Sequence, residues 1–238
     1  GGGGLQYMIE ELYYDWDLFY GTSTGSLLIT LTSLGEMQKL KECYTSVNND
    51  SIFSVKPFTK KGKLNIFNAI WRFINHETSL GEADSLKDLL YEMFTESDFQ
   101  ATINENKKLH ACITNYRTGR IEFKNNFTTS YDDYIDYTLA STSVPLAMDF
   151  VRKNGELYLD GGVMEHIPLQ KAIDDGADEI DVIILRPEYY DIEKWNPDNM
   201  FDVMMRTIDL MQKEISTSDV LIGKLKAADK EVILNFYY

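Results

Sequence analysis

Ser23 stands at the centre of Gly21-Thr22-Ser23-Thr24-Gly25, between a short apolar run and a longer one, in the stretch YDWDLFYGTSTGSLLITL. A serine hydroxyl is a weak nucleophile near neutral pH. To attack an acyl carbon it needs a base to take its proton and N–H donors to hold the oxyanion that develops. Glycines on both sides permit the sharp strand-to-helix turn that presents such a serine, and the helix that follows points its positive end at the hydroxyl. A plain structural turn is the competing reading of so short a motif. Two other stretches could complete the chemistry. Gly1 to Gly4 precede a helix, where their N–H groups can converge on one point and hold an anion, unless they are only a frayed end. YLDGG places Asp160 at a strand end, and Gly161 and Gly162 after it allow close backbone approach; its competing reading is also a simple turn.

The elements around these residues follow from periodicity. Leu5, Met8, Ile9 and Leu12 fall at helical spacing just after the glycines, Trp16–Tyr20 reads as a strand, and Thr24–Leu34 reads as a buried helix. Helices are expected at Glu36–Val47, Leu64–Ile74 and Ser85–Phe94, the last capped by Asp84 or Ser85. Leu109–Lys124 changes to a two-residue period around RTG and predicts a hairpin. A helix near Asp132–Leu139 leads to ASTSVPLAM, and GELYLDGG is a strand ending on Asp160. A short helix stops at Gly176, and Glu179–Leu185 is a nearly continuous apolar strand of the kind covered on both faces. A helix over Met200–Ile215 and a final strand in EVILNFYY close the chain. Alternating strands and helices predict an α/β layered fold, and without a linker or repeat one domain over 1–238 is the simplest organisation.

Composition narrows the functional classes. With 238 residues, 44% of them hydrophobic, the chain can bury a full core. Its net charge of −15 opposes binding to nucleic-acid phosphates or to an anionic bilayer by charge alone. The two cysteines, Cys43 and Cys112, are far apart and are expected to be free and buried, and the acidic residues form no convincing metal-ligand pattern. No apolar run reaches the roughly 18 residues that a membrane span needs. Histidines are scarce: His76, His110 and His166. The first two read as structural, while His166 lies only six residues after Asp160. A serine at position 23 is also too early for the strand order of an α/β-hydrolase, whose histidine follows the acid late in the chain.

The glycine run GGGG, the elbow GTSTGS and the late DGG, in that order, resemble the patatin-like phospholipase family, and the likeness extends to ASTSVPLAM and the TNYRTGRIEF hairpin. The resemblance implies a three-layer α/β fold with a mostly parallel central sheet flanked by helices, and a serine–aspartate dyad that works without histidine. Carried over, Ser23 would be the nucleophile, Asp160 the base, and Gly1, Gly2 and Gly3 the oxyanion-hole donors. Gly21, Gly25, Gly161 and Gly162 would shape the two turns. No cofactor or metal is implied. The family's glycine loop usually has a basic residue and another glycine before its helix, so either the loop is short here or, as expected, residues are missing between the glycines and the helix, and an N-terminal strand is expected to be missing as well. Where the family commonly has asparagine after DGG, this chain has His166, which either makes the same structural hydrogen bonds or perturbs the dyad.

The implied substrate is a fatty-acyl ester of a phospholipid or lysophospholipid at a membrane or micelle surface, with no nucleic-acid partner and no transmembrane segment. Lys56, Lys60, Lys61 and Lys63 around Phe58 would suit lipid phosphates and the apolar layer, or form a solvated turn. Aromatic residues near Glu188–Trp195 and the methionines of Met200–Met211 could line an acyl channel, although their spacing also suits core packing. Two alternatives are an acyltransferase using the same serine and a non-catalytic lipid-binding domain. The expected location is cytoplasmic or peripheral at a membrane, with secretion open, and the oligomeric state is not indicated.

Overall fold

The computed structural model describes residues 2–46, 84–184 and 200–238. The expected helix at Leu64–Ile74, the lysine-rich loop around Phe58, His76 and the aromatic run at Glu188–Trp195 lie outside these residues. In chain order the elements are α1 (Gly2–Glu10), β1 (Leu18–Thr22), α2 (Thr24–Thr32), α3 (Met37–Ser46), α4 (Asp84–Met93), α5 (Glu96–Asn104), β2 (Lys108–Asn115) and β3 (Arg120–Asn125). They continue with α6 (Tyr131–Thr142), β4 (Val151–Lys153), β5 (Glu156–Asp160), a 3-10 turn (Gly161–Val163), α7 (Leu169–Asp174), β6 (Glu179–Ile183), α8 (Met200–Lys230) and β7 (Ile233–Tyr237). The chain is therefore α/β, and it divides into two compact units, Trp16–Glu165 and Gly1–Asp15 with His166–Tyr238.

The Trp16–Glu165 unit is built on a five-stranded sheet whose centre is β2, buried from Leu109 to Asn115. Apolar packing against the sheet comes from Phe19, Leu109 and Ala111 with Ile29 of α2, Leu90 of α4, Phe99 of α5, and Tyr134 and Ile135 of α6. Phe94, Phe99 and Tyr134 meet with tilted or edge-on rings 5.9–6.4 Å apart, a geometry aromatic pairs favour. The sheet is mixed where a mostly parallel one was expected. β1 and β2 are parallel, whereas the β2–β3, β2–β5 and β4–β5 pairs are antiparallel. The reason is local: β2–β3 and β4–β5 are joined by tight turns, which force antiparallel pairing, and Asn154 and Gly155 both take the positive φ (53° and 80°) of a two-residue hairpin turn.

Pairing along β2 places two strand ends together. β3 occupies one edge of β2 over His110–Asn115, so β1 and β5 must share the other. β1 runs along it until Thr22 pairs with Cys112; β5 runs the opposite way until Asp160 pairs with Ile113, the next position. The carboxyl ends of the two strands therefore meet head-on.

Two elements of this unit were not anticipated. α5 starts with a reciprocal cap, in which the Thr95 hydroxyl accepts the Asp98 N–H (3.3 Å) and the Asp98 carboxylate accepts the Thr95 N–H (2.9 Å). β4 is only three residues long and forms an edge strand.

In the second unit α1 begins at Gly2, so the glycines enter the helix instead of preceding it. β6 and β7 form a parallel two-stranded sheet joined through α8. Of β6 only Val182 is buried, and the other four residues stay partly or fully exposed, which corrects the expectation of a strand covered on both faces; among the described residues β6 pairs with β7 alone. α8 runs to Lys230, well beyond Ile215, through the weak helix formers Ser216, Thr217 and Ser218. Its second half is held to α7, where Gly223 lies so close that a Cβ there would stand 2.6 Å from Leu169 Cδ1.

Candidate active site

Ser23 is the one residue between the end of β1 and the start of α2. Its backbone has φ 55° and ψ −129°, a conformation that L-residues avoid and that stores strain of about 1–3 kcal/mol. Two features of the turn explain how it is held. The Ser23 carbonyl accepts hydrogen bonds from the Ser26 N–H (2.9 Å) and the Ser26 hydroxyl (2.7 Å). Gly21 lets the strand end lie against the helix start, since a Cβ there would be 2.5 Å from Gly25 C and O and from Ser26 N. A Cβ on Gly25 would meet no heavy atom within 4 Å, so crowding does not account for that glycine.

Asp160 ends β5, and its side chain is completely buried. Oδ1 accepts the Gly162 N–H at 2.7 Å, while Oδ2 has no hydrogen-bond partner among the described residues. The chain then turns at Gly161, where a Cβ would stand 2.4 Å from the Cys112 carbonyl oxygen, so glycine is required for the strand end to pass β2. Burial pushes the Asp160 carboxyl up to about 6, against the opposing effects of the Ser23 hydroxyl and the Gly162 N–H. The Ser23 hydroxyl is thus near enough to stabilise the carboxylate without completing a hydrogen bond to Oδ2. A hydroxyl beside a carboxylate with one unpaired oxygen can pass its proton there.

The α6 end grips both chain segments, a role not read from the residues of ASTSVPLAM. The Ser141 hydroxyl accepts the Ser23 N–H (3.1 Å) and donates to the Cys112 carbonyl (2.6 Å). The Ser143 carbonyl accepts the Asp160 N–H (3.1 Å), and Thr114 Oγ1 donates to the Asp160 carbonyl (3.0 Å). The visible signal was only a run of small residues, which shows nothing about the strands it will bond.

The remaining candidates are placed as follows. Gly2 and Gly3 form the first turn of α1, where helical N–H groups lack partners within the helix, and Gly1 lies outside the described residues. His110 is buried in β2 and stacks on Tyr20 with ring centres 4.5 Å apart, as a structural residue would. The His166 N–H and the Ile167 N–H both donate to Asp219 of α8, at 2.7 and 2.9 Å. Cys112 is buried and forms no disulfide among the described residues, while the Cys43 side chain lies outside them. Among the described residues no cluster of three or more His, Cys, Asp or Glu is arranged to hold a metal ion, and no helix is long and apolar enough to cross a membrane.

Comparison with curated proteins returned no match. The sequence model of the patatin-like phospholipase family matches residues 1–173, which takes in the glycine run, the elbow at Ser23, the small-residue segment of α6 and the Asp160 turn. With nearly three quarters of its length so matched, the chain belongs to the patatin-like phospholipase family.

Proposed function

We propose that the protein cleaves fatty-acyl esters of phospholipids or lysophospholipids with Ser23 as nucleophile and Asp160 as base. Membership of a phospholipase family supports a lipid acyl hydrolase in general. The observation that carries the finer reading is the meeting of two strand ends on one edge of β2, which sets a strained serine beside a buried aspartate with an unpaired Oδ2. In the reaction Asp160 accepts the Ser23 proton as Oγ attacks the ester carbonyl, and the oxyanion is held by N–H groups that the family motif assigns to Gly1, Gly2 and Gly3. Collapse expels the lipid alcohol, which takes the proton from Asp160 and leaves a Ser23 acyl ester. Asp160 then deprotonates a water that attacks this ester, and fatty acid departs as Ser23 regains its proton.

The same reading takes 1–238 as one patatin-like domain of three layers, acting in the cytoplasm or at a membrane surface. Fatty-acid release from mixed phospholipid vesicles tests it, alongside labelling by a fluorophosphonate, which needs an activated serine. Ser23→Ala is expected to abolish labelling and both Ser23→Ala and Asp160→Asn to lower release at least 1,000-fold, on the order of the loss seen when one member of a coupled catalytic set is removed. A folded parent that neither labels nor releases fatty acid would overturn the reading.

A further inference from the structure

Ser141 is fully buried in the last turn of α6, far from Ser23 in the chain, yet its hydroxyl is the acceptor for the Ser23 backbone N–H. A hydroxyl has one hydrogen to donate. Here that hydrogen goes to the Cys112 carbonyl at 2.6 Å, which turns a lone pair toward Ser23 and fixes the direction of the 3.1 Å bond from its N–H. Cys112 is no arbitrary anchor. It pairs with Thr22 at the end of β1, it precedes the partner of Asp160 in β2, and its carbonyl is the atom against which Gly161 packs. Two residues further on, the Ser143 carbonyl holds the Asp160 N–H. One helix end therefore fixes the backbones of both residues from a common reference point.

The strain at Ser23 makes this matter. A residue at φ 55°, ψ −129° relaxes unless its surroundings hold it, and Ser141 is the side chain that ties the Ser23 amide to the sheet. We propose that Ser141 is a positioning residue: by fixing the Ser23 amide against β2 it holds the serine hydroxyl in line with the Asp160 carboxyl. The inference rests on the Ser23–Asp160 reading above. It also means that the Ser23 amide is engaged in the fold and is not available to bind an oxyanion.

The test compares parent, Ser141→Ala, Ser141→Thr and Ser141→Cys, using turnover of a short-chain fatty-acyl ester per folded molecule and the rate of fluorophosphonate labelling at Ser23. Ser141→Ala is expected to lower kcat and the labelling rate 10- to 100-fold with KM changed less than twofold, and to move the acid limb of the kcat/KM profile upward. Ser141→Thr keeps the hydroxyl and is expected to recover most of the rate. Should its extra methyl prevent folding, Ser141→Cys, a weak donor of nearly the same shape, is expected to fall between parent and alanine. The inference is overturned if the alanine variant loses only thermal stability while labelling rate, kcat and pH profile per folded molecule stay those of the parent. Failure of the dyad reading looks different: the parent does not label, or Ser23→Ala retains its turnover.

Discussion

Asp160 carries opposing demands, and both can be measured. Because burial raises its carboxyl to about 6, the carboxylate that the proposed dyad uses as its base disappears as pH falls through that value, so kcat/KM is expected to drop tenfold per unit below about pH 6. Stability moves the other way. The folded state favours the protonated acid, so folding takes up a proton, and stability tied to this group is present below pH 3.8 and lost as pH rises through about 6. The two-unit gap corresponds to up to about 3 kcal/mol at neutral pH. Asp160→Asn removes the buried charge and retains an acceptor for the Gly162 N–H, so it is expected to raise stability at pH 7 by about 1–3 kcal/mol while abolishing turnover; parallel urea titrations at pH 4 and 7 should show the gain only at the higher pH. The turn at Ser23 and the strand end at Asp160 were both legible in the sequence because their requirements are local: small residues around a strained turn, and an acid at a strand end before glycines. Ser141 was not, because its importance lies in bonds to residues distant in the chain.

The strands and helices divide in the same way. Periodicity located β1, the β2–β3 hairpin, α6 and β5 to within a few residues, since each has a face or a full length to bury. It missed α5, where Phe99 and Thr102 are the only buried residues in a nine-residue helix whose clearest signal is the Thr95–Asp98 cap. It also could not say which strands pair, because apolar alternation identifies a strand without naming its neighbour. Pairing with β2 is what makes Gly161 indispensable, whereas Gly21 is required by the close approach of the β1 end to the start of α2. A methyl group at Gly161 would press on the β2 carbonyl of Cys112, which cannot yield without moving the strand on which the site is built. Gly161→Ala and Gly21→Ala are each expected to destabilise by about 2–3 kcal/mol and to reduce turnover more than tenfold. Gly25→Ala, where the new methyl meets open space, is expected to change stability by less than about 1 kcal/mol. Thermal melts of the three variants separate crowding from a general intolerance of side chains in the motif.

For the chain as an electrostatic body, the acidic surplus bears on the proposed action at a lipid surface. A net charge of −15 repels anionic vesicles at low ionic strength, where the Debye length is about 30 Å at 0.01 M, and much less at 0.15 M, where it is about 8 Å. Fatty-acid release from zwitterionic vesicles is therefore expected to exceed that from anionic ones of the same acyl composition at 0.01 M salt, with the gap narrowing severalfold by 0.15 M. Equal rates at both salt concentrations would show that a local basic patch governs the approach instead. Charge, composition, the chemistry of the motif residues and the approximate elements all follow from the order of residues, because each depends on side-chain type or on neighbours within a few positions. Folding in three dimensions settled the mixed sheet, the division into two compact units, the length of α8 and the grip of α6 on both catalytic candidates. Those features depend on which distant surfaces bury one another and on register along β2, where a shift of one residue would reverse every side chain and part Asp160 from Ser23.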